Sequence, residues 1–471
     1  MTHPCAPRVG PLLFVLSGNM LIDALEVSVA VVAMPAIGRD LGLPLTSLHW
    51  VMTGFALGFG GALLLGARLV AAFGRRRLYL AALAVFVAAS IVGALADTAA
   101  PLVLSRVVKG VCAALPAPTG LVIIAATWPA GPIRNRALSV YSFFGAAGFG
   151  VGLLLAGGLT QVSWRWSLGI VAPVGLALLV AALRVVPADT PATPRQRLGA
   201  TGAALLAGAA AAAVYGVVRV AAAGWRDGVG AAALVAAVLA ALLFAVTQRR
   251  SPRPLVPPDL IRGSFARSAV GAATLNGSHW GLLLVATLDL QLARSWSSMA
   301  TGLVLLPMSV LLVLATPFSG RLIARFGASR LVAVGAAVAP LGYLLYLVGA
   351  PTSAAPAALV AAMLLVGVAF AVSFAALHAR AVSEVAATEQ PVAGAVYQTA
   401  VQLGGALALS LVAAVLVAAG KPGPVDTESL VGAHRAALLV VVALGLVGLL
   451  AAVLPARAGA AFVPRRSPVV R

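Results

Sequence analysis

Charge is what this chain has least of. Only 9% of its 471 residues are Asp, Glu, Lys or Arg, against roughly a quarter in soluble domains. The 62% that are hydrophobic exceed what a soluble fold could hide. Cysteine is nearly missing as well. Cys5 and Cys112 give no disulfide framework and no metal-ligand spacing, so no metal is expected. The five histidines are dispersed, and neither His-Glu-x-x-His nor Gly-x-Ser-x-Gly occurs, which leaves enzymatic chemistry without machinery. No Gly-Lys-Ser/Thr follows a glycine-rich loop, so no nucleotide and no other cofactor is expected. A net charge of +20 raises the question of nucleic acid, but the 32 cations are scattered through short loops with no basic face on a polar domain. Stacking aromatics on a polar platform are lacking too, and lipid headgroups account better for the charge.

What is present is apolar length. Runs of eighteen or more apolar residues recur from Leu12 to Val453, the length a helix needs to cross roughly 30 Å of hydrocarbon. The first, Leu12 to Pro35, is too long for a signal-peptide core and contains Asp23 and Glu26, so it is expected to be a retained span. Gly-, Pro- and Arg-rich breaks divide the chain into about fourteen spans, starting near Leu12, Leu48, Leu78, Pro101, Ala137, Trp166, Leu198, Gly228, Arg267, Met299, Leu331, Pro356, Pro391 and Arg435. Of the 32 Lys and Arg, 23 fall in one alternate set of loops and seven in the other, which predicts that both termini are cytoplasmic.

An internal repeat organises these spans. Arg68-Leu-Val-Ala-Ala-Phe-Gly-Arg-Arg-Arg-Leu78 matches Arg321-Leu-Ile-Ala-Arg-Phe-Gly-Ala-Ser-Arg-Leu331 at seven of eleven positions. The copies join spans two and three, and ten and eleven, which predicts two related six-helix halves. The expected divisions are an N-terminal half at 1–186, a linker with two extra spans at 187–264, a C-terminal half at 265–456 and a basic tail at 457–471. Two such halves with a site between them near the midplane is the plan of rocking, alternating-access carriers.

Candidate site residues are the charges inside spans. An ionised carboxylate at mid-membrane costs about 2.5 to 3.5 kcal/mol on insertion scales, so Asp23 and Glu26 require compensation. With Asn19 they are spaced four and three apart and share a helix face. Arg106 and Lys109 share a face of span four at comparable depth. The expected pairing is Glu26 with Arg106, leaving Lys109 to Asp23 or to substrate; a structural ion pair is the alternative to proton binding. Asn276, His279 and Trp280 in span nine are candidates to line a cavity, although a His beside an Asn also fits an interhelical hydrogen bond. Asp289, near the outer end of that span, reads as an interface carboxylate. Glycine-rich span five offers Gly148 and Gly152 for close helix packing, and Trp164, Trp166, Trp225 and Trp296 fall at predicted span ends as interfacial anchors.

These residues resemble the major facilitator superfamily over nearly the whole chain, and within it the fourteen-span drug:proton antiporters. Glu26 to Ile37 is similar to that branch's first-span signature and Trp50-Val-Met-Thr-Gly-Phe55 to the start of its second span. Gly66 to Arg77 resembles the superfamily's gating loop, with Gly66, Arg68, Gly74, Arg75 and Arg77 on motif positions and Arg321 and Gly327 in the second copy. Arg106 to Ala114 resembles the fourth-span arginine motif, Trp164-Arg-Trp166 to Pro173 the sixth-span entry, and Gln402-Leu-Gly-Gly-Ala406 the penultimate span. The departures are as informative. Ala71 and Ala324 stand where the loop motif carries aspartate, Leu153 to Gly158 lacks the Gly-Pro of the antiporter motif, Glu26 replaces an aspartate and Lys109 a glutamine.

The resemblance implies an all-α polytopic fold of two six-helix halves plus a two-helix insertion. It also implies a secondary transporter exporting amphipathic small molecules by proton antiport, with Glu26, Asp23 and Arg106 handling the proton. Its expected partners are small-molecule substrate, protons and the lipid bilayer, not nucleic acid, and it is expected to be a monomer in a bacterial plasma membrane. A narrow-range exporter of one natural product or metabolite and a non-transporting membrane sensor are the alternatives.

Overall fold

Backbone that lies in hydrocarbon must satisfy every N–H and C=O within the protein, and no strand occurs among the described residues. The computed structural model describes residues 9–116, 124, 131–186, 199–252, 254–257, 260–386, 389–419 and 427–454. The basic tail 457–471 lies outside them, as does most of the chain between 116 and 131. The longer helices are α1 (Val9–Asp40), α2 (Trp50–Phe73), α3 (Arg75–Ala94), α4 (Ala99–Ala114), α5 (Pro132–Val162), α6 (Val171–Val185) and α7 (Ala200–Ala223). They continue with α8 (Gly228–Arg250), α9 (Gly263–Leu288), α10 (Ser298–Ala315), α11 (Ala328–Gly349), α12 (Ala355–Val382), α13 (Gln390–Ala419) and α14 (Thr427–Val453).

Twelve candidate spans are long and apolar enough to cross a membrane among the described residues, two fewer than the fourteen expected. The two that fall short are α4, described over only 16 residues, and α9, which is long enough at 26 residues but is diluted by Thr274, Asn276, Ser278 and His279. Both carry candidate site residues. Polar side chains placed for a site lower the apolar signal by which a span is recognised.

In the first half α1 packs along α5, α2 along α4, and α3 between α4 and α6. In the second, α9 packs on α13 and α14, and α11 on α12 and α14. The halves meet where α5 crosses α10 and where α2 crosses α13. Glycines on two faces of α5 set the first of these arrangements. A Cβ on Gly148 would come within 2.6 Å of Leu21 O on α1, and one on Gly150 within 2.7 Å of Ser309 Oγ on α10. Helices approach this closely only where side chains are small. Of the pair α7 and α8, α7 reaches α2 and α13, whereas α8 packs on α7 and is only 11% buried over its apolar window.

The two repeat copies fold alike. Gly74 closes α2 with φ 87° and ψ 147°, and Gly327 closes the short helix Ser319–Phe326 with φ 80° and ψ 145°. Each donates its N–H four residues back, to Val70 O and Ile323 O, both at 2.9 Å. That backbone region is essentially restricted to glycine, so the shared glycine has a physical cause. Below, the side of the molecule holding these two loops is called the loop side, and the other the far side.

Trp166 and Trp225 are exposed at helix ends, in keeping with an interfacial position. Trp164 differs from expectation. It is buried, because its indole N–H donates to Asp40 Oδ2 at 2.8 Å.

Candidate functional site

Glu26 lies midway along α1, and Arg106 and Lys109 face it from α4; all three side chains are 1% exposed. Arg106 spends its whole fork there. Its Nη1 pairs with Glu26 Oε2, its Nη2 donates to Glu26 O at 2.9 Å and its Nε donates to Val51 O on α2 at 2.8 Å. Lys109 Nζ is 2.5 Å from Glu26 Oε1. Phe55 lies under the Arg106 guanidinium at 5.3 Å and Phe86 under the Lys109 ammonium at 5.6 Å, contacts that favour desolvated cations. The crossing of α2 and α4 that permits this is tight, since a Cβ on Gly110 would stand 2.1 Å from Phe55 O.

Lys109 therefore differs from its expected role: it reaches Glu26, and neither cation pairs with Asp23. Asp23 is half-buried one turn away, where its electrostatic neighbours are Glu26, Tyr79 and Tyr141. Asn19 gives its Nδ2 to Tyr79 Oη at 2.6 Å. The polar stripe of α1 thus faces two environments, cationic at Glu26 and tyrosine-lined at Asn19 and Asp23.

Two cations held by one carboxylate leave the cluster with an excess of one positive charge. Through this one carboxylate and the Arg106 guanidinium, α1 is tied to both α2 and α4.

The cluster opens on the second half. Val27, Met52, Phe55, Arg106 and Trp280 line a small cavity, so an indole from α9 meets the arginine of α4. His279 is buried between Phe149 of the first half and Phe370 of the second, with ring centroids 6.0 and 5.2 Å away, and its Nδ1 has no hydrogen-bond partner among the described residues. Asn276 does not line this cavity; with Trp280 it packs against Gly405 of α13. Val27, Met52 and Phe55 were not singled out as cavity residues. Phe55 stands in a motif and Val27 follows Glu26, but an apolar side chain carries no signal that separates a cavity wall from a helix contact.

The gating-loop residues do not converge on this cavity. Arg68 Nη2 donates to Pro254 O at 3.1 Å and Arg76 Nη2 to Leu183 O at 2.7 Å. Gly66 is buried in α2 and Arg75 half-buried, whereas Arg77, Arg321 and Gly327 are exposed.

On the far side each half has its own acidic cluster. Arg165 bridges Asp40 and Asp97 at 2.5 and 2.9 Å. Asp289 accepts from Arg294 Nε and Tyr346 Oη, each at 3.0 Å, with His434 Nδ1 3.5 Å away. It heads a π turn, Asp289–Ala293, from which Gln291 donates across the halves to Val32 O at 3.1 Å. No group of three or more His, Cys, Asp or Glu suited to a metal occurs among the described residues.

Comparison with known proteins follows the same lines. The sequence profile of the Major Facilitator Superfamily matches residues 16–409. The puromycin resistance protein pur8 of Streptomyces alboniger is 34% identical over 408 residues, 85% of this chain and 80% of that protein. An uncharacterized MFS-type transporter, EfpA of Mycobacterium tuberculosis, is 33% identical over 332 residues, 70% of this chain; the match spans 62% of that protein's length. Among solved structures, the peptide transporter POT in complex with sulfate superposes with a TM-score of 0.67 over 94% of each chain at 16% identity, a likeness of fold alone.

Proposed function

The chain belongs to the major facilitator superfamily, a multi-pass membrane transporter and not an enzyme, and from that premise we propose that it exports amphipathic small molecules by exchange for protons. One observation carries the proposal: a buried mid-helix carboxylate, Glu26, is held by Arg106 and Lys109 beside a cavity closed by Trp280 of the other half. In this mechanism Glu26 takes the proton and Arg106 sets its affinity, with Asp23 assisting from the same stripe. Substrate occupies the space next to Arg106, where an aromatic and aliphatic wall meets one charged group, the composition that suits an amphipathic guest. Rocking of the halves about the α5–α10 and α2–α13 contacts alters the distance from α1 to α4 and so couples the two events.

The same proposal includes fourteen spans, with α4 and α9 crossing the membrane although they fall short by length or hydropathy. It includes the division into halves at 1–186 and 265–456 around the linker 187–264, cytoplasmic termini, a bacterial plasma membrane and a monomer. Export of drugs is supported by the resistance relative named above. That protein's name specifies one antibiotic, which favours a second reading, a narrow-range exporter of a single natural product.

The test is transport in proteoliposomes with and without an imposed pH gradient. The gradient should drive substrate efflux, and Glu26→Gln should abolish it while binding persists; normal coupled efflux by that variant would refute the assignment. Resistance of an expressing strain to one member of a toxin panel, against many, separates narrow from broad range.

A further inference from the structure

The second half holds two neighbouring cations, Arg380 and Arg267, that form no ion pair among the described residues. Arg380, in the last turn of α12, is only 7% exposed; its Nε donates to Ser268 Oγ at 2.8 Å and its Nη2 has no hydrogen-bond partner among the described residues. Arg267, next to Ser268 at the start of α9, stands within electrostatic reach of Arg380. It gives Nη1 to Leu454 O, and its Nε has no partner among the described residues. The hydroxyls of Tyr397, close to Arg380 on α13, and of Ser264, one turn before Ser268, are buried and also lack a partner among the described residues. Neither arginine has a carboxylate partner among the described residues, and Glu384, four residues beyond Arg380, is exposed and forms no ion pair. Like charges withdrawn from water side by side are unfavourable unless an anion joins them. Four buried donors at this end of α9, α12 and α13 lack a hydrogen-bond partner among the described residues, and buried donors are normally satisfied.

A narrow cleft leads away from Arg380 between α9, α11, α12 and α14. Leu377, Leu275, Val332, Ala336 and Gly448 form the apolar part of its wall together with smaller residues. Its hydroxyls are already spent: Ser278 bonds Tyr343 Oη at 2.8 Å, and Thr274 and Ser373 bond carbonyls of their own helices. Arg380 is thus the lining group with a donor to offer, at the loop-side end of an otherwise apolar cleft. The free N–H groups at the start of α9 add positive potential at the same level.

We propose that Arg380 and Arg267 bind a phosphate oxyanion, and that the cleft takes an acyl chain when the phosphate belongs to a membrane lipid. The planar guanidinium fork matches phosphate oxygens in pairs. The site is separate from the Glu26 cluster and does not depend on the transport reading.

Full-length protein, purified in detergent and stripped of lipid, is titrated with phosphatidylglycerol, with diacylglycerol of the same chains, or with inorganic phosphate, and its unfolding midpoint is read. Phosphatidylglycerol should raise the midpoint by about 3 °C or more and diacylglycerol should not, and Arg380→Gln and Arg267→Gln should each lose most of the rise. If inorganic phosphate gives the full rise with the same dependence on arginine, the source is a free oxyanion and the site stands. An equal rise in wild type and both variants, an equal rise with diacylglycerol, or no rise with any ligand overturns it. Should Arg380→Gln fail to purify, the half-exposed Arg267 supplies the deciding comparison.

Discussion

The two halves share a plan and differ in where they keep their charge. In the first, Glu26, Arg106 and Lys109 lie midway along α1 and α4 and are fully buried. In the second, the middle of α9 carries the uncharged Asn276, Ser278 and His279, and charge is confined to the ends, at Asp289 on the far side and Arg380 on the loop side. The loops differ in parallel. Arg68 and Arg76 of the first copy are tied to carbonyls of neighbouring segments, whereas Arg321 of the second is exposed. The buried charges thus lie on α1 and α4, and the rings around His279 and Trp280 on and about α9.

Substitutions can break that contrast or sharpen it. The largest effect is expected from Arg106→Gln, which removes three bonds and leaves Glu26 with Lys109 alone; a destabilisation of about 3–5 kcal/mol by chemical unfolding and complete loss of flux should follow. If His279→Phe on the facing helix cost as much, the asymmetry would be false. Next comes Gly110→Ala, whose new methyl would meet Phe55 O at 2.1 Å; overpacking of this kind costs about 1–3 kcal/mol. Gly208→Ala on α7, with nothing within 4 Å of the added carbon, is the control and should be neutral or slightly stabilising in the same assay. Asp289→Asn keeps an acceptor for Tyr346 and should cost about 1 kcal/mol with coupled flux retained; loss of coupling would give the second half an ionisable role.

The smallest effect concerns Asp227, in the loop between α7 and α8. Its side-chain hydrogen bonds from Arg219 hold its pKa below the usual 3.8. A lowered carboxylate pKa contributes stability above the unfolded value and loses it as the pH falls through the folded one. Asp227→Asn should therefore change the unfolding midpoint slightly at neutral pH and not at all under strongly acidic conditions, because the pair is solvent-exposed.

The sequence made the outline legible because charge is so rare in it. Glu26, Arg106 and Lys109 stand out against an apolar background, and helical spacing alone puts the two cations on one face. The repeat was visible at Gly74 and Gly327 because the turn conformation admits no other residue. Partnership was harder to read. Lys109 was assigned to Asp23 or substrate, and nothing in one-dimensional spacing shows that α4 is rotated so that both cations close on Glu26. Trp164 was placed at the lipid surface by its position, whereas its indole is drawn inward by Asp40, 124 residues away. Fourteen spans were expected and twelve candidates are found among the described residues; in α9 the polar residues Thr274, Asn276, Ser278 and His279 dilute the apolar pattern that marks a membrane helix.

The π turn at Asp289–Ala293 has a mechanical consequence. A wound coil that contains one surplus residue can pass the surplus along its axis, and each such step swings the residue it passes by about 100°. Gln291 sits inside the surplus, with its amide on the opposite half at Val32. Relaxation of this turn would let go of that amide without unwinding the helix, a release catch with one moving part.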